Sequence, residues 1–214
     1  MDSKLHAVII ADVMASSSRA NLRSILGSVL AGISREHLRQ KRIRLPYTIT
    51  AGDEFQTVTQ DPAAIPSILL ELRSVLRPLS LRIGVGFGSI NEKIQAPVNH
   101  LGGEAFQSAR KALERVKSGA GFKFEVLTAF RSPKLQFDET INLIYGLHDT
   151  LILKVTDKQW ETIREFRDSP SLERSSKKLK LDASTVSRNL KRGYYWQISE
   201  TAKAAESFIT GTFA

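Results

Sequence analysis

Val8-Ile9-Ile10-Ala11-Asp12 and Tyr47-Thr48-Ile49-Thr50-Ala51-Gly52-Asp53-Glu54-Phe55 are two β-prone stretches that each place an acid where apolar character gives way to a turn. The first is β-branched and nearly continuous from His6 to Ala11, the pattern of a strand buried on both faces and central in its sheet. In the second, residues 47–50 and 55–59 read as two strands. Gly52-Asp53 between them supplies the positive-φ tolerance of a tight hairpin and puts Asp53 at its tip. Two carboxylates held side by side at strand ends suit a hydrated magnesium ion that also carries phosphates.

Working outward, Leu22, Ile25, Leu26, Val29, Leu30 and Ile33 recur at helical spacing, so an amphipathic helix is expected through Arg39 with Ser17 or Ser18 as its cap. Asp61-Pro62 opens a second helix carrying Ile65, Ile68, Leu69, Leu72, Val75 and Leu76. Leu81-Arg82-Ile83-Gly84-Val85-Gly86-Phe87-Gly88 alternates as a strand whose glycines admit another backbone or a ligand. Gly102-Gly103 precedes a third helix, and residues 122–127 read as the last strand. This order contains the split βαββαβ arrangement of an α+β, ferredoxin-like palm, in which Asp12 and Asp53 become neighbours. Residues 1–130 are assigned to that palm and residues 131–155 to a connector and linking helix. Residues 156–214 are assigned to a small helical domain of the winged helix-turn-helix kind.

Asp12 and Asp53 are the candidate metal ligands, for Mg2+ or Mn2+. Two ions shared by two aspartates can activate a hydroxyl and neutralise a triphosphate. The backbone between strand and helix, at Val13, Ala15, Ser16 and Ser17, is the candidate phosphate cradle, with Arg19 assisting electrostatically.

Near the carboxyl end, residues 171–180 and 183–192 form two short helices separated by Leu181-Asp182, with Leu179, Leu181, Val186 and Leu190 at core positions. Ser184, Thr185, Ser187 and Arg188 are then placed to reach base edges or phosphates in a major groove. Lys177, Lys178, Lys191 and Arg192 are placed to neutralise phosphates. Tyr194-Tyr195-Trp196 reads as a wing strand before a last helix, or as interface core, since many such modules pair as homodimers.

Composition agrees with a polyanionic partner: 31 Lys and Arg against 22 Asp and Glu give a net charge of +9. No Cys is present, which removes disulfides and thiolate metal sites, and the four His show no zinc spacing. No apolar run reaches spanning length and none at the start has the form of a signal segment, so a soluble, cytoplasmic protein is expected.

The segment Ala11-Asp12-Val13-Met14-Ala15-Ser16-Ser17 resembles the first metal-binding segment of class III nucleotidyl cyclases. Ala51-Gly52-Asp53-Glu54-Phe55 resembles their second and the signature of diguanylate cyclases, and Arg82-Ile83-Gly84 and Gly103 to Arg110 are similar to the following cyclase strand and helix start. By that resemblance Gln107 stands where a ribose-orienting Asn would be, and Arg110 or Lys111 where a transition-state Arg would be. Ile49 and Asn99 or His100 occupy the base-reading positions, so the metal half of the pattern is kept and the base-reading half is changed. Gly-Asp-Glu-Phe-Gln at 52–56, Ala-Arg-x-Ala at 109–112 and the basic tail resemble the bacterial SatD family over most of the chain. The tail is also similar to winged-helix domains of bacterial transcription regulators. These readings imply a DNA-binding regulator whose palm takes up a nucleoside triphosphate or another nucleotide. The alternative is a nucleotidyl cyclase or transferase making a signalling nucleotide.

Overall fold

A five-stranded sheet with helices on both faces organises the computed structural model, which describes residues 5–14, 21–91, 93–95 and 97–213. Strands β1 (His6–Val13), β2 (Thr48–Ala51), β3 (Glu54–Val58), β4 (Leu81–Gly88) and β5 (Thr128–Arg131) lie in the order β2-β3-β1-β4-β5. The continuously apolar β1 is central and runs antiparallel to both β3 and β4, while β5 joins β4 in parallel. Its odd residues Ala7, Ile9, Ala11 and Val13 face the core shared with α1 (Leu22–Arg39) and α2 (Ile65–Val75). Its even residues Val8 and Ile10 face α3 (Glu104–Ser118). The chain is therefore a mixed α+β protein. The cap expected at Ser17 or Ser18 lies outside the described residues. Asp61 does cap the turn leading into α2, accepting from the Ala63 amide at 2.9 Å.

The glycines of β4 admit a helix. A Cβ on Gly86 would stand 2.1 Å from the Ala109 nitrogen, and one on Gly84 would stand 2.2 Å from the Ala109 carbonyl oxygen. Both intruding atoms would meet backbone, so α3 can lie on the sheet only where β4 has no side chains.

The last strand lies further along than the aromatic run at residues 122–127 predicts. Phe124 is 46 % exposed, whereas Thr128, Ala129 and Phe130 are buried beside β4. The reason lies in α4 (Leu135–Ile152), whose side chains bond the open edge of β5. Asn142 accepts from the Phe130 amide at 2.8 Å and donates to the Phe130 carbonyl at 2.9 Å. Asp149 accepts from the Leu127 amide at 2.8 Å. Asp149 also lies 3.5 Å from the guanidinium of fully enclosed Arg73, which in turn donates to the Leu81 carbonyl and to Thr128 Oγ1, each at 2.8 Å.

A second buried network joins α1, α2 and the segment before β2. His37 Nδ1 lies 2.8 Å from the Tyr47 hydroxyl, and its Nε2 donates to Glu71 at 2.7 Å, where Arg42 also donates at 2.8 Å. Burial pushes the Glu71 carboxyl up, but the His37 and Arg42 bonds outweigh it and bring the group from its ordinary 4.5 down to about 2. A depressed carboxylate contributes stability that is present above the unfolded pKa and is lost as pH falls through the folded one. Urea midpoints of Glu71→Gln are accordingly expected below those of the native chain at neutral pH, with the gap closing between pH 4.5 and about 2. A gap that stays constant over that window would remove the assignment.

The carboxyl-terminal helices are α5 (Asp157–Asp168), α6 (Leu172–Leu179), α7 (Ala183–Arg192) and α8 (Tyr195–Phe213). Thr156 and Gln159 form a reciprocal cap on α5, and Ser171 caps α6. The expected wing at residues 193–198 is not a strand. Gly193 and Tyr194 make a turn, Tyr194 taking φ 54°, and α8 begins at once. Ile198 joins Trp160, Ile163, Val186 and Leu190 in one cluster, while Leu181, expected in that core, is exposed. The far half of α8 returns to the sheet. Ala205 and Ile209 are fully buried there, Phe208 stacks on Phe137 at 5.3 Å and Phe213 on Phe87 at 4.6 Å. Among the described residues no helix is long and apolar enough to cross a membrane.

Candidate functional site

Asp12 sits in the last turn of the β1 ladder, opposite Glu54 of β3 on one side and Arg82 of β4 on the other. Gly52 at φ 57° turns the hairpin, which leaves Asp53 half-buried at its tip and beside Asp12. Burial pushes the Asp12 carboxyl above the usual range. Lys117 opposes this by hydrogen bond and charge, Asp53 adds to it by like charge, and Arg82 lowers it. The two acids named from sequence are thus brought together at one end of the sheet.

The residues that face them come from one edge of α3. Gln107, Arg110, Glu114 and Lys117 are spaced at helical intervals on that edge. Lys117 Nζ lies 3.1 Å from Asp12 Oδ1. Arg110 forks onto both carboxylate oxygens of Glu54, the second at 2.6 Å, and Thr50 Oγ1 adds a contact to Glu54 at 3.2 Å. Glu54 and Lys117 were not singled out by sequence. The signal for Lys117 was its seven-residue offset from Arg110, two helical turns along the same edge.

The remaining candidates are divided. Lys111, one residue beyond Arg110, points to the other edge of α3 and lines a cleft against β5 and α4. Gln107 is exposed, nearly three turns of helix from Lys117. The Val13 side chain is buried in the sheet core, and the next amide, Met14, donates to the Ser80 carbonyl at 2.9 Å, so it is not free for a phosphate. Ala15, Ser16, Ser17 and Arg19 lie outside the described residues.

Among the described residues no group of three or more His, Cys, Asp or Glu is placed to hold a metal ion. Asp12 and Asp53 offer two carboxylates, and Lys117 already sets a cation on the first. That donor set fits a magnesium ion delivered with phosphate oxygens and water, which needs only one or two carboxylates from the protein, and does not fit a resident all-protein cage.

In the carboxyl-terminal helices, α6 and α7 are joined by Lys180, at φ 54°, Leu181 and Asp182. Val186 and Leu190 are fully buried against α5, which leaves Ser184, Arg188, Lys191 and Arg192 of α7 exposed, with Thr185 and Ser187 half-buried. Arg188 donates to Thr185 Oγ1 at 3.1 Å. On α6, Lys177 pairs with Glu173 at 2.6 Å and Lys178 with Glu165 of α5. The partly buried Met14, next to the end of β1, packs into the same cluster as α5, α7 and the start of α8.

The sequence model of the SatD family matches residues 6–206. No curated protein matches the chain. Among solved structures, the chain is similar to the guanylate cyclase domain of RhGC from Catenaria anguillulae in complex with GTP. The identity is 18 % and the TM-score 0.41, over 52 % of this chain and 73 % of that one. It is also similar to the dimeric guanylyl cyclase domain of the RhoGC fusion protein from the aquatic fungus Blastocladiella emersonii. There the identity is 15 % and the TM-score 0.40, over 52 % and 74 % of the two chains.

Proposed function

The chain belongs to the SatD family, and from that premise we propose that it is a DNA-binding regulator whose ferredoxin-like, cyclase-like palm takes up a nucleotide with its divalent cation. The observation that carries the reading is the exposed face of α7. Its apolar residues are spent on α5, while Ser184, Arg188, Lys191 and Arg192 are presented together from a helix that follows α6 across a three-residue turn. That geometry suits insertion in a major groove, with Arg188 against guanine and Lys191 and Arg192 against phosphates. Lys177 and Lys178 extend the basic face along α6.

In the palm, Asp12 and Asp53 would hold a magnesium or manganese ion, whose role when bound is to neutralise phosphate charge. Lys117 and Arg82 add positive charge at the same end of the sheet. Binding is favoured over turnover because Arg110 already spends one N–H of each terminal nitrogen on Glu54, whose carboxylate offsets the charge it would offer a transition state. Met14 gives the palm a physical link to the DNA-reading helices, since it follows the metal-bearing strand and packs against their cluster.

The test is fluorescence anisotropy on mixed genomic duplexes at several salt concentrations. Arg188→Ala with Lys191→Ala is expected to weaken binding about tenfold or more and, through the lost Lys191 phosphate contact, to lower the salt slope by roughly 1. GTP with Mg2+ is expected to shift the affinity of the native chain and to leave that of Asp53→Ala unchanged. Binding indifferent to both α7 changes and to salt would overturn the DNA reading.

A further inference from the structure

The edge of α3 turned away from the carboxylates borders a cleft of about 560 Å³, closed by residues 119–127, β5 and the start of α4. That volume lies in the range of small-molecule sites. Phe122, Phe124 and Phe130 form aromatic walls, and Leu135 and Leu143 stand exposed at the rim. Lys111, Arg115, Lys123 and Arg131 surround it, and none of the four has an ion-pair partner among the described residues. On the opposite edge of the same helix, Arg110 and Lys117 are both engaged, with Glu54 and Asp12.

Arg115 is held in place. Its guanidinium lies 4.3 Å over the Phe122 ring, and its Nε donates to the Ala120 carbonyl at 3.2 Å. Gly121, at φ 76°, lets the loop pass so close that a Cβ there would stand 3.2 Å from Arg115 Nη2. The loop thus fixes the side chain by its inner nitrogen, and its terminal nitrogens have no acceptor among the described residues. Asp138 lines the same cleft. One of its oxygens accepts from the Ser132 amide at 3.0 Å, and the other is shut off from solvent with no hydrogen-bond partner.

We propose that this cleft binds a nucleoside monophosphate, the ring lying against Phe122 and Phe124 and the phosphate on Arg115 and Lys111. Flat aromatic walls favour a planar ring, and the four cations beside them, which outnumber the two lining carboxylates Asp138 and Glu139, favour an anion joined to it. A fixed guanidinium with free terminal donors matches a phosphate in two-point geometry. The site is separate from Asp12 and Asp53 and does not rest on the function proposed above.

The test is isothermal titration calorimetry of the full chain with GMP, AMP, phenyl phosphate and inorganic phosphate at low salt. A nucleotide is expected to bind about tenfold or more tighter than inorganic phosphate, with phenyl phosphate between them. Arg115→Gln is expected to weaken the nucleotide about tenfold, and Asp53→Ala to leave it unchanged. Arg115 also braces its loop, so Leu143→Glu, a change at the exposed rim, serves as the second variant. It should weaken binding by like charge while circular dichroism shows an unaltered fold. Four outcomes overturn the proposal: no heat with any ligand, equal affinity for nucleotide and inorganic phosphate, loss of binding in Asp53→Ala but not in Arg115→Gln, or sedimentation showing a dimer that Leu143→Glu converts to monomer.

Discussion

Gly86→Leu is expected to yield only unfolded or aggregated protein. The new Cβ would stand 2.1 Å from the Ala109 nitrogen, 2.2 Å from the Ala105 carbonyl oxygen and 2.7 Å from the Ala109 Cα, all of them backbone atoms of α3. No rotamer change relieves a clash with backbone, so the whole helix must lift from β4. Lifting it uncovers Val8, Ile10, Ala109 and Leu113, which are buried against one another. Overpacking alone costs about 1–3 kcal/mol, and the lost burial brings the total to a size comparable with the whole stability of a domain, about 5–15 kcal/mol. Far-UV circular dichroism and urea unfolding provide the measurement. Gly32→Ala, in α1 with nothing within 4 Å of the added carbon, is the control and should raise stability by about 0.5–1 kcal/mol. If Gly86→Leu unfolds at the native midpoint, the packing of α3 described above is wrong.

Asp149→Ala carries the second largest expected loss, about 3–5 kcal/mol, because it strands a charge inside the protein. Arg73 is fully enclosed, with Asp149 as its counter-charge at 3.5 Å. The same substitution removes the acceptor for the Leu127 amide and so loosens the approach to β5. Replacing both members separates the two contributions. Arg73→Met with Asp149→Leu should recover part of the loss, since no buried charge remains, while the Leu127 amide still lacks its partner. Urea midpoints of the single and double variants decide it, and a double variant no better than Asp149→Ala would show that the ion pair contributes nothing beyond the amide bond.

These two sites also mark where the sequence was readable and where it was not. The continuous β-branched run at Val8 to Ala11, the Gly52-Asp53 turn and the helical periods of α1 and α2 are local signals, and each lies where its pattern predicts. The displacement of β5 has a non-local cause: Asn142 and Asp149, two turns apart on α4, supply the bonds that hold residues 127–130 at the sheet edge. Nothing in residues 122–131 shows that those side chains will be there. Likewise the β4 glycines announce a close approach, but only the fold shows that the approaching group is α3. Aromatic character misled at Tyr194-Tyr195-Trp196, because rings suit both a wing and a helix and the burial of Ile198 decided between them.

The site shows the same division. Asp12 and Asp53 could be read because strand ends and hairpin tips are set by neighbours in sequence. Arg110 and Lys111 could not be told apart, since one residue of helix register turns a side chain by about 100° and carries it from the carboxylates to the cleft. Glu54 was hidden for a further reason: in the hairpin motif it reads as turn chemistry, and its bidentate partner lies on an element far away in the chain.

The return of α8 to the sheet has a consequence for how the protein is made. Phe87 and Phe137, in the first two thirds of the chain, meet each other edge to face and stack on Phe213 and Phe208 of α8. During synthesis the α1 and α2 face of the sheet must therefore wait, partly uncovered, until α8 has been made. A nascent chain in that state exposes aromatic surface of the kind that aggregates or is held by chaperones. In this sense α8 acts as the clasp that closes this face of the sheet.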